Sequence, residues 1–251
     1  MRVIRFMDKE RKIQFGWLDE DRIGLIEGNI FGEFRRLEPS INLKSVRLLA
    51  PIVPSKIICV GRNYSEHARE QNVDLPETPL IFLKPPSSVI ANDENIVIPP
   101  QSQQVEHEAE LVVIVGKQCK WISVEECSKY IFGFTIGNDV TARDLQHKDL
   151  QWTRGKGFDT FCPIGPWIET ELDPADSLIT CRVNGELRQM GSTREMVFSV
   201  NHILAYVSTI MTLEPGDAIF TGTPAGIGLL TQGDTVEVSI EGIGTLRNTV
   251  V

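Results

Sequence analysis

Apolar residues in this chain fall mostly in short runs, alternating or continuous, bounded by charged and glycine-containing turns. That pattern predicts strands. Residues 3–6, 12–18 and 22–27 predict three strands, separated by Asp8-Lys9-Glu10 and Asp19-Glu20-Asp21 and closed by Glu27-Gly28-Asn29. Ile13, Phe15 and Trp17 alternate, so they share one face. A small antiparallel β domain is therefore expected over residues 1–50. The run Leu49-Ala50-Pro51-Ile52-Val53-Pro54 reads as an extended linker into a second domain over residues 51–251.

That second domain opens with a continuous apolar strand over 56–60. The turn Gly61-Arg62-Asn63-Tyr64 then leads to a polar helix over 65–71, with Asn63 or Ser65 as its cap. A polar loop follows over 72–78. Further strands are predicted over 80–83, 95–98, 108–115, 131–138, 217–221, 235–240 and 244–250. Ser123 and Glu126 have capping-box spacing for a helix over 123–128. Residues 199–212 carry the only long helical periodicity. Strands outnumber helices and do not alternate with them, so the expected class is α+β and β-rich, not a doubly wound sheet.

A chain of 251 residues, 41% hydrophobic and 24% charged, has the size and composition of a protein with a substantial core. Its 25 Lys and Arg against 34 Asp and Glu give a formal charge of −9 with no basic run. That balance disfavours nucleic acid and anionic membrane surfaces as partners. No apolar stretch approaches a membrane span, and the N-terminus lacks a signal-peptide pattern. The 5 cysteines are odd in number and match no zinc spacing, so reduced, buried thiols in a cytoplasmic protein are expected.

The run Glu106-His107-Glu108-Ala109-Glu110 enters an apolar strand, and alternation puts its three glutamates on one face. Carboxylates leading into such a strand are costly to bury without a positive partner. A hard divalent cation would serve, because carboxylate oxygens suit Mg²⁺, Ca²⁺ or Mn²⁺. A solvated strand end explains the spacing equally well. Asp139, at the end of another apolar strand, is the candidate third ligand, whereas Asp144 beside Arg143 reads as an ion-pair or capping residue. Lys156 lies between Gly155 and Gly157, either aimed at an anion or on a flexible surface loop. The glycine-rich loop 221–228 lacks the Lys-Ser/Thr of a phosphate-binding loop. His67 and Glu70 have the spacing to touch on a helix, as a general base and its orienting carboxylate or as a plain surface pair.

Taken in order, these motifs resemble the fumarylacetoacetate hydrolase family across nearly all of residues 50–251. The matching stretches are Val60-Gly61-Arg62-Asn63-Tyr64 with His67 and Glu70; Phe82-Leu83-Lys84-Pro85; Glu108-Ala109-Glu110-Leu111; residues 138–146; residues 156–160; and Thr221-Gly222-Thr223-Pro224. The chain looks most like the branch of acylpyruvate hydrolases, oxaloacetate decarboxylases and 2-hydroxyhepta-2,4-diene-1,7-dioate isomerases. The resemblance implies a mixed β-roll with a small N-terminal β domain, and a homodimer. It implies that Glu108, Glu110 and Asp139 bind Mg²⁺ or Mn²⁺, with Ca²⁺ as a substitute in crystals. It also implies that Lys156 contacts the substrate oxyanion, that Arg62, Arg143, Gln146 and Thr223 surround a small 2-oxo acid, and that His67 and Glu70 form a dyad on a lid helix.

The activity expected from this resemblance is cleavage of the C3–C4 bond of a 2,4-dioxo acid of acylpyruvate or fumarylpyruvate type, through a pyruvate enolate. Loss of CO₂ from oxaloacetate reaches the same enolate. Isomerisation or decarboxylation of an unsaturated dioate, and a sugar-acid hydratase or dehydratase, are the alternatives.

Overall fold

A computed structural model describes all 251 residues. Strands Arg2–Met7, Ile13–Asp19 and Arg22–Gly28 follow one another as antiparallel neighbours, as the sequence pattern near the N-terminus predicts, and the short exposed strand Phe34–Arg36, which that pattern does not show, adds a fourth. This sheet does not stop at the end of the N-terminal segment. Arg2 and Val3 pair with Glu169 and Ile168 of strand Cys162–Glu169. The same sheet then runs on through Ile131–Asn138, Ala109–Val115, Ala218–Phe220, Ile57–Gly61 and Leu80–Lys84.

The proline-containing stretch is not a free linker. Arg47–Leu49 pairs with Arg2–Met7, and Ala50 and Ile52 are buried in the core. Their apolar side chains gain more from burial than an extended spacer would.

A second sheet contains Leu178–Val183, Glu186–Ser192, Thr235–Ile240, Gly244–Val250 and the short Asn95–Ile96. Strand Ala109–Val115 is buried along its whole length. Leu111, Val113 and Val115 enter the largest core cluster, which also takes residues of the second sheet and of helix Val200–Ile210. Val112 and Ile114 face the other way, into a cluster shared with Val3, Ile57 and Phe220. This two-sided burial gives the strand a rigid end on which to mount side chains.

Helix Val200–Ile210 forms where its periodicity puts it, with Ser199 accepting the His202 N–H as cap. Two cap expectations fail. Asn63 spends its amide on Phe198 and Thr221, so Tyr64 is the N-cap of helix Ser65–Glu70 and gives no side-chain cap bond; nor does Ser65 act as the cap. Ser123 likewise makes no cap bond at the 3-10 helix Val124–Lys129, and Glu126 reaches Lys129 instead. The capping box that does form joins Ser192 and Glu195. No helix is long and apolar enough to cross a membrane, and all five cysteines are free and buried.

Candidate active site

Glu108 sits where the chain passes from one sheet to another. The preceding strand Val105–His107 pairs with Thr141–Ala142 and Gly228–Leu229 in a small three-stranded sheet, and the following strand Ala109–Val115 belongs to the main one. Two hydrogen bonds clip this junction to the end of strand Ile131–Asn138: Asp139 N–H donates to the Glu108 carbonyl, and Glu108 N–H donates to Asn138 Oδ1, each at 2.9 Å. The clip brings one oxygen each of Glu108, Glu110 and Asp139 within 4.8 Å of one another, with all three residues buried.

Cations crowd two of the three. Lys156 Nζ lies 2.7 Å from Glu108 and 2.6 Å from Asp139. Lys84 Nζ is 2.5 Å from the other Asp139 oxygen. Arg143 pairs with Glu108 and, at 2.8 Å, with Glu106, so Glu106 serves to hold Arg143. Burial opposes the charge on Glu108, but Lys156 and Arg143 outweigh it and hold the carboxyl well below the usual carboxylate range. Burial likewise opposes the charge on Lys156, and Asp139 and Glu108 raise its pKa despite it.

Glu110 differs. Its protein hydrogen bond comes from Gly222 N–H at 2.7 Å. Burial, with the charges of Asp139 and Glu108 added, pushes its pKa well above the ordinary value. Glu110 is the carboxylate of the three that no lysine or arginine pairs with. Three clustered carboxylates, one of them short of a cation, form a donor set that fits a hard divalent ion.

His67 is buried, contrary to a surface-pair reading, with Nδ1 3.3 Å from Glu70 Oε2. The Glu70 carboxylate is held from its other side by Gly226 N–H at 3.1 and 3.2 Å. With Nδ1–H donated to Glu70, Nε2 is left as the basic nitrogen. Burial lowers the His67 pKa, an effect partly offset by Glu108 and by the Glu70 hydrogen bond.

Nine of the ten residues singled out from the sequence line one cavity of about 120 Å³; Glu70 alone stands behind it. Lys156 belongs to the short helix Thr153–Lys156, not to a flexible loop. Gly155 is needed for close approach, because a Cβ there would stand 2.9 Å from Gln146 Cα. Arg62 lines both this cavity and an outer recess shared with Arg69 and Asn72. Its guanidinium stacks over Trp152, 5.9 Å from the ring centre. Sequence reasoning gave no role to Lys84, Phe82 or Trp152. A lysine ending an apolar strand before Pro85 was the available signal for the first.

A family model described as fumarylacetoacetate (FAA) hydrolase C-terminal matches residues 56–251, and an Rv2993c-like N-terminal model matches residues 1–51. The chain belongs to the fumarylacetoacetate hydrolase family. It is 44% identical over 226 residues to the mitochondrial oxaloacetate tautomerase FAHD2B of Bos taurus, covering 85% of this chain and 72% of that one. The structure of 5-carboxymethyl-2-hydroxymuconate delta-isomerase from Mycobacterium smegmatis matches with TM-score 0.94 and 43% identity, covering 100% of this chain and 99% of that one. That of 2-hydroxyhepta-2,4-diene-1,7-dioate isomerase from Mycobacterium marinum matches with TM-score 0.93 and 43% identity, over 100% and 98%. Members of this family are enzymes, and these three relatives are named as one tautomerase and two isomerases of substrates with two or more carboxylates.

Proposed function

We propose that this protein interconverts the keto and enol forms, or the double-bond isomers, of a 2-oxo dicarboxylic acid. The observation that carries the reading is the placing of the cationic groups at two depths, the deep ones paired with the carboxylates and the outer one unpaired. Lys156 and Arg143 stand deep in the cavity among the carboxylates. Arg62, which has no carboxylate partner among the ion pairs, stands at the boundary with the outer recess. A 2-oxo acid head fits the deep group, and a second carboxylate on the tail fits Arg62.

Glu108, Glu110 and Asp139 would hold the Mg²⁺ or Mn²⁺ ion, which supplies Lewis-acid polarisation of the 2-oxo group when bound. The chain's own groups do the rest. Lys156, kept charged by Asp139 and Glu108, faces the negative charge that develops on the substrate oxygen at C2. His67 Nε2 takes a proton from C3, and Glu70 steadies the imidazolium that results. Return of that proton to the C2 oxygen gives the enol, and return to a distal carbon of an unsaturated dioate gives its isomer.

A second reading is C–C hydrolysis, in which the same imidazole takes its proton from water. The Glu70 carboxylate behind His67 favours it, since such a pair is suited to activating a nucleophile. A panel of oxaloacetate, unsaturated dioates, acylpyruvates and sugar acids, followed in the ultraviolet with Mg²⁺, separates these reactions. The dioates should show the higher kcat/KM. If acylpyruvates with uncharged tails are cleaved more efficiently, the hydrolase reading replaces this one.

A further inference from the structure

Gln189 lies on strand Glu186–Ser192, fully buried and outside the cavity lining. Its amide makes four hydrogen bonds. Oε1 accepts from Ala109 N–H at 3.1 Å and from His107 Nδ1 at 2.9 Å. Nε2 donates to Thr223 Oγ1 at 2.7 Å and to the Pro224 carbonyl at 2.8 Å. A backbone N–H can only donate and a carbonyl can only accept, so the amide orientation is fixed from both ends. His107 must then carry its proton on Nδ1, and its Nε2 is buried without a partner.

These bonds tie together two parts of the site. Ala109 stands between Glu108 and Glu110. Residues 221–228 touch the site at three places: Gly222 N–H on Glu110, Thr223 in the cavity wall, and Gly226 N–H on Glu70. The loop is seated directly on the Gln189 strand. Gly226, at φ +96°, lies where a Cβ would come within 2.2 Å of the Arg188 carbonyl oxygen, and a Cβ on Gly191 would come within 2.6 Å of Pro224. The two Nε2 donors of Gln189 pin the middle of this loop.

We propose that Gln189 is a positioning residue that holds loop 221–228 against the carboxylate strand and thereby sets the Glu70–His67 pair. The proposal rests on the reading of His67 as the proton carrier. Loss of the Nε2 donors frees Pro224 and lets Gly226 N–H drift from Glu70. A misplacement of about 1 Å at a site can cost about 10²-fold in rate.

The test uses ¹⁵N-histidine-labelled, Mg²⁺-loaded protein. NMR should show His107 protonated at Nδ1 in the wild type. In Gln189→Met the His67 ring signals should move in the direction they take in Glu70→Gln. In steady-state kinetics on the best substrate of the panel, Gln189→Met should lower kcat by roughly 10–10²-fold with KM little changed. The double variant with Glu70→Gln should cost no more than the larger single change, because both act through one pair. Gln189→Glu keeps the acceptor for Ala109 N–H and His107 Nδ1–H but loses at least one of the two Nε2 donors, and should recover part of both readings. If Gln189→Met does not fold, the remaining deficit of Gln189→Glu must still appear at His67. Unmoved His67 signals, or fully additive losses, overturn the proposal. If no substrate is turned over even by the wild type, the functional reading fails, while the His67 signals still decide the role of Gln189.

Discussion

Lys84 Nζ lies 2.5 Å from Asp139 Oδ1, and the two side chains are 0% and 1% exposed. Removing one partner of a buried ion pair typically costs about 3–5 kcal/mol, because the other charge is left uncompensated. Lys156 also touches Asp139, so Lys84→Met should fall toward the lower end of that range. Chemical denaturation without metal measures it. Added Mg²⁺ should restore part of the loss, since a cation replaces the missing charge. Equal stability of the variant and the wild type in chelator would show that this pair contributes nothing.

Glu110 is the carboxylate that neither lysine nor Arg143 pairs with. Saturating Mg²⁺ at about 100 times its Kd should stabilise the wild type by about 2.7 kcal/mol. Glu110→Gln should abolish that shift and the metal-dependent activity together. Full turnover by chelator-treated protein would refute the metal assignment.

His67→Ala should lower kcat by about 10²–10⁴-fold, the usual contribution of a positioned base. Glu70→Gln should cost less, because it keeps a hydrogen-bonding side chain and loses the charge. Mg²⁺ affinity, read by titration calorimetry, should stay the same in both. Wild-type rate in His67→Ala would make the pair decorative.

The acid limb of kcat/KM should fall below the ordinary histidine value of about 6.5. Burial lowers the His67 pKa in the folded protein, so the neutral base survives to lower pH than a free imidazole. Glu70→Gln removes a contribution that raises this pKa, so its limb should lie lower still. The linked stability has the same sign: it is fully present above the unfolded value and is lost as pH falls through the lowered folded one. A limb above the ordinary value would contradict the burial of His67.

Arg62→Gln should weaken binding of dioates. A hydrogen bond to a charged group contributes about 1.5–3 kcal/mol, which corresponds to a rise in KM of roughly ten- to a hundredfold. Acylpyruvates with uncharged tails should be unaffected, and an equal loss on both substrates would remove Arg62 from the tail site.

Alternation on an apolar strand declares a shared face for Glu108 and Glu110, and Asp139 is suggested by its place at a strand end. Spacing alone fits a solvated strand end equally well, and it is the family resemblance that joins the three as ligands. The depth of Lys156 is not legible in the sequence. Its flanking glycines suggest mobility, whereas Gly155 is there to let the chain press against Gln146. Strand Cys162–Glu169 is hidden by Pro163 and Pro166, which argue against a strand interior. Strand Glu186–Ser192 is hidden by Gln189, a polar residue pointing inward. The hairpin that leads into it is announced all the same by Asn184-Gly185, at φ 53° and 81°, the residues a tight two-residue turn prefers. Glu70 is found by its spacing from His67, but its tether to Gly226 joins residues 156 positions apart, which no local pattern can show.

The pairing of Arg2 and Val3 with Glu169 and Ile168 makes the N-terminal strands a seal on the catalytic sheet. A protein trimmed to residues 51–251 would leave the Ile168–Glu169 end of strand Cys162–Glu169 unpaired, an invitation to adhesion between copies, while Cys162 and Pro163 stay paired with Val89 and Ile90. Grafting this active site into another scaffold would require carrying that seal along, or building a new one.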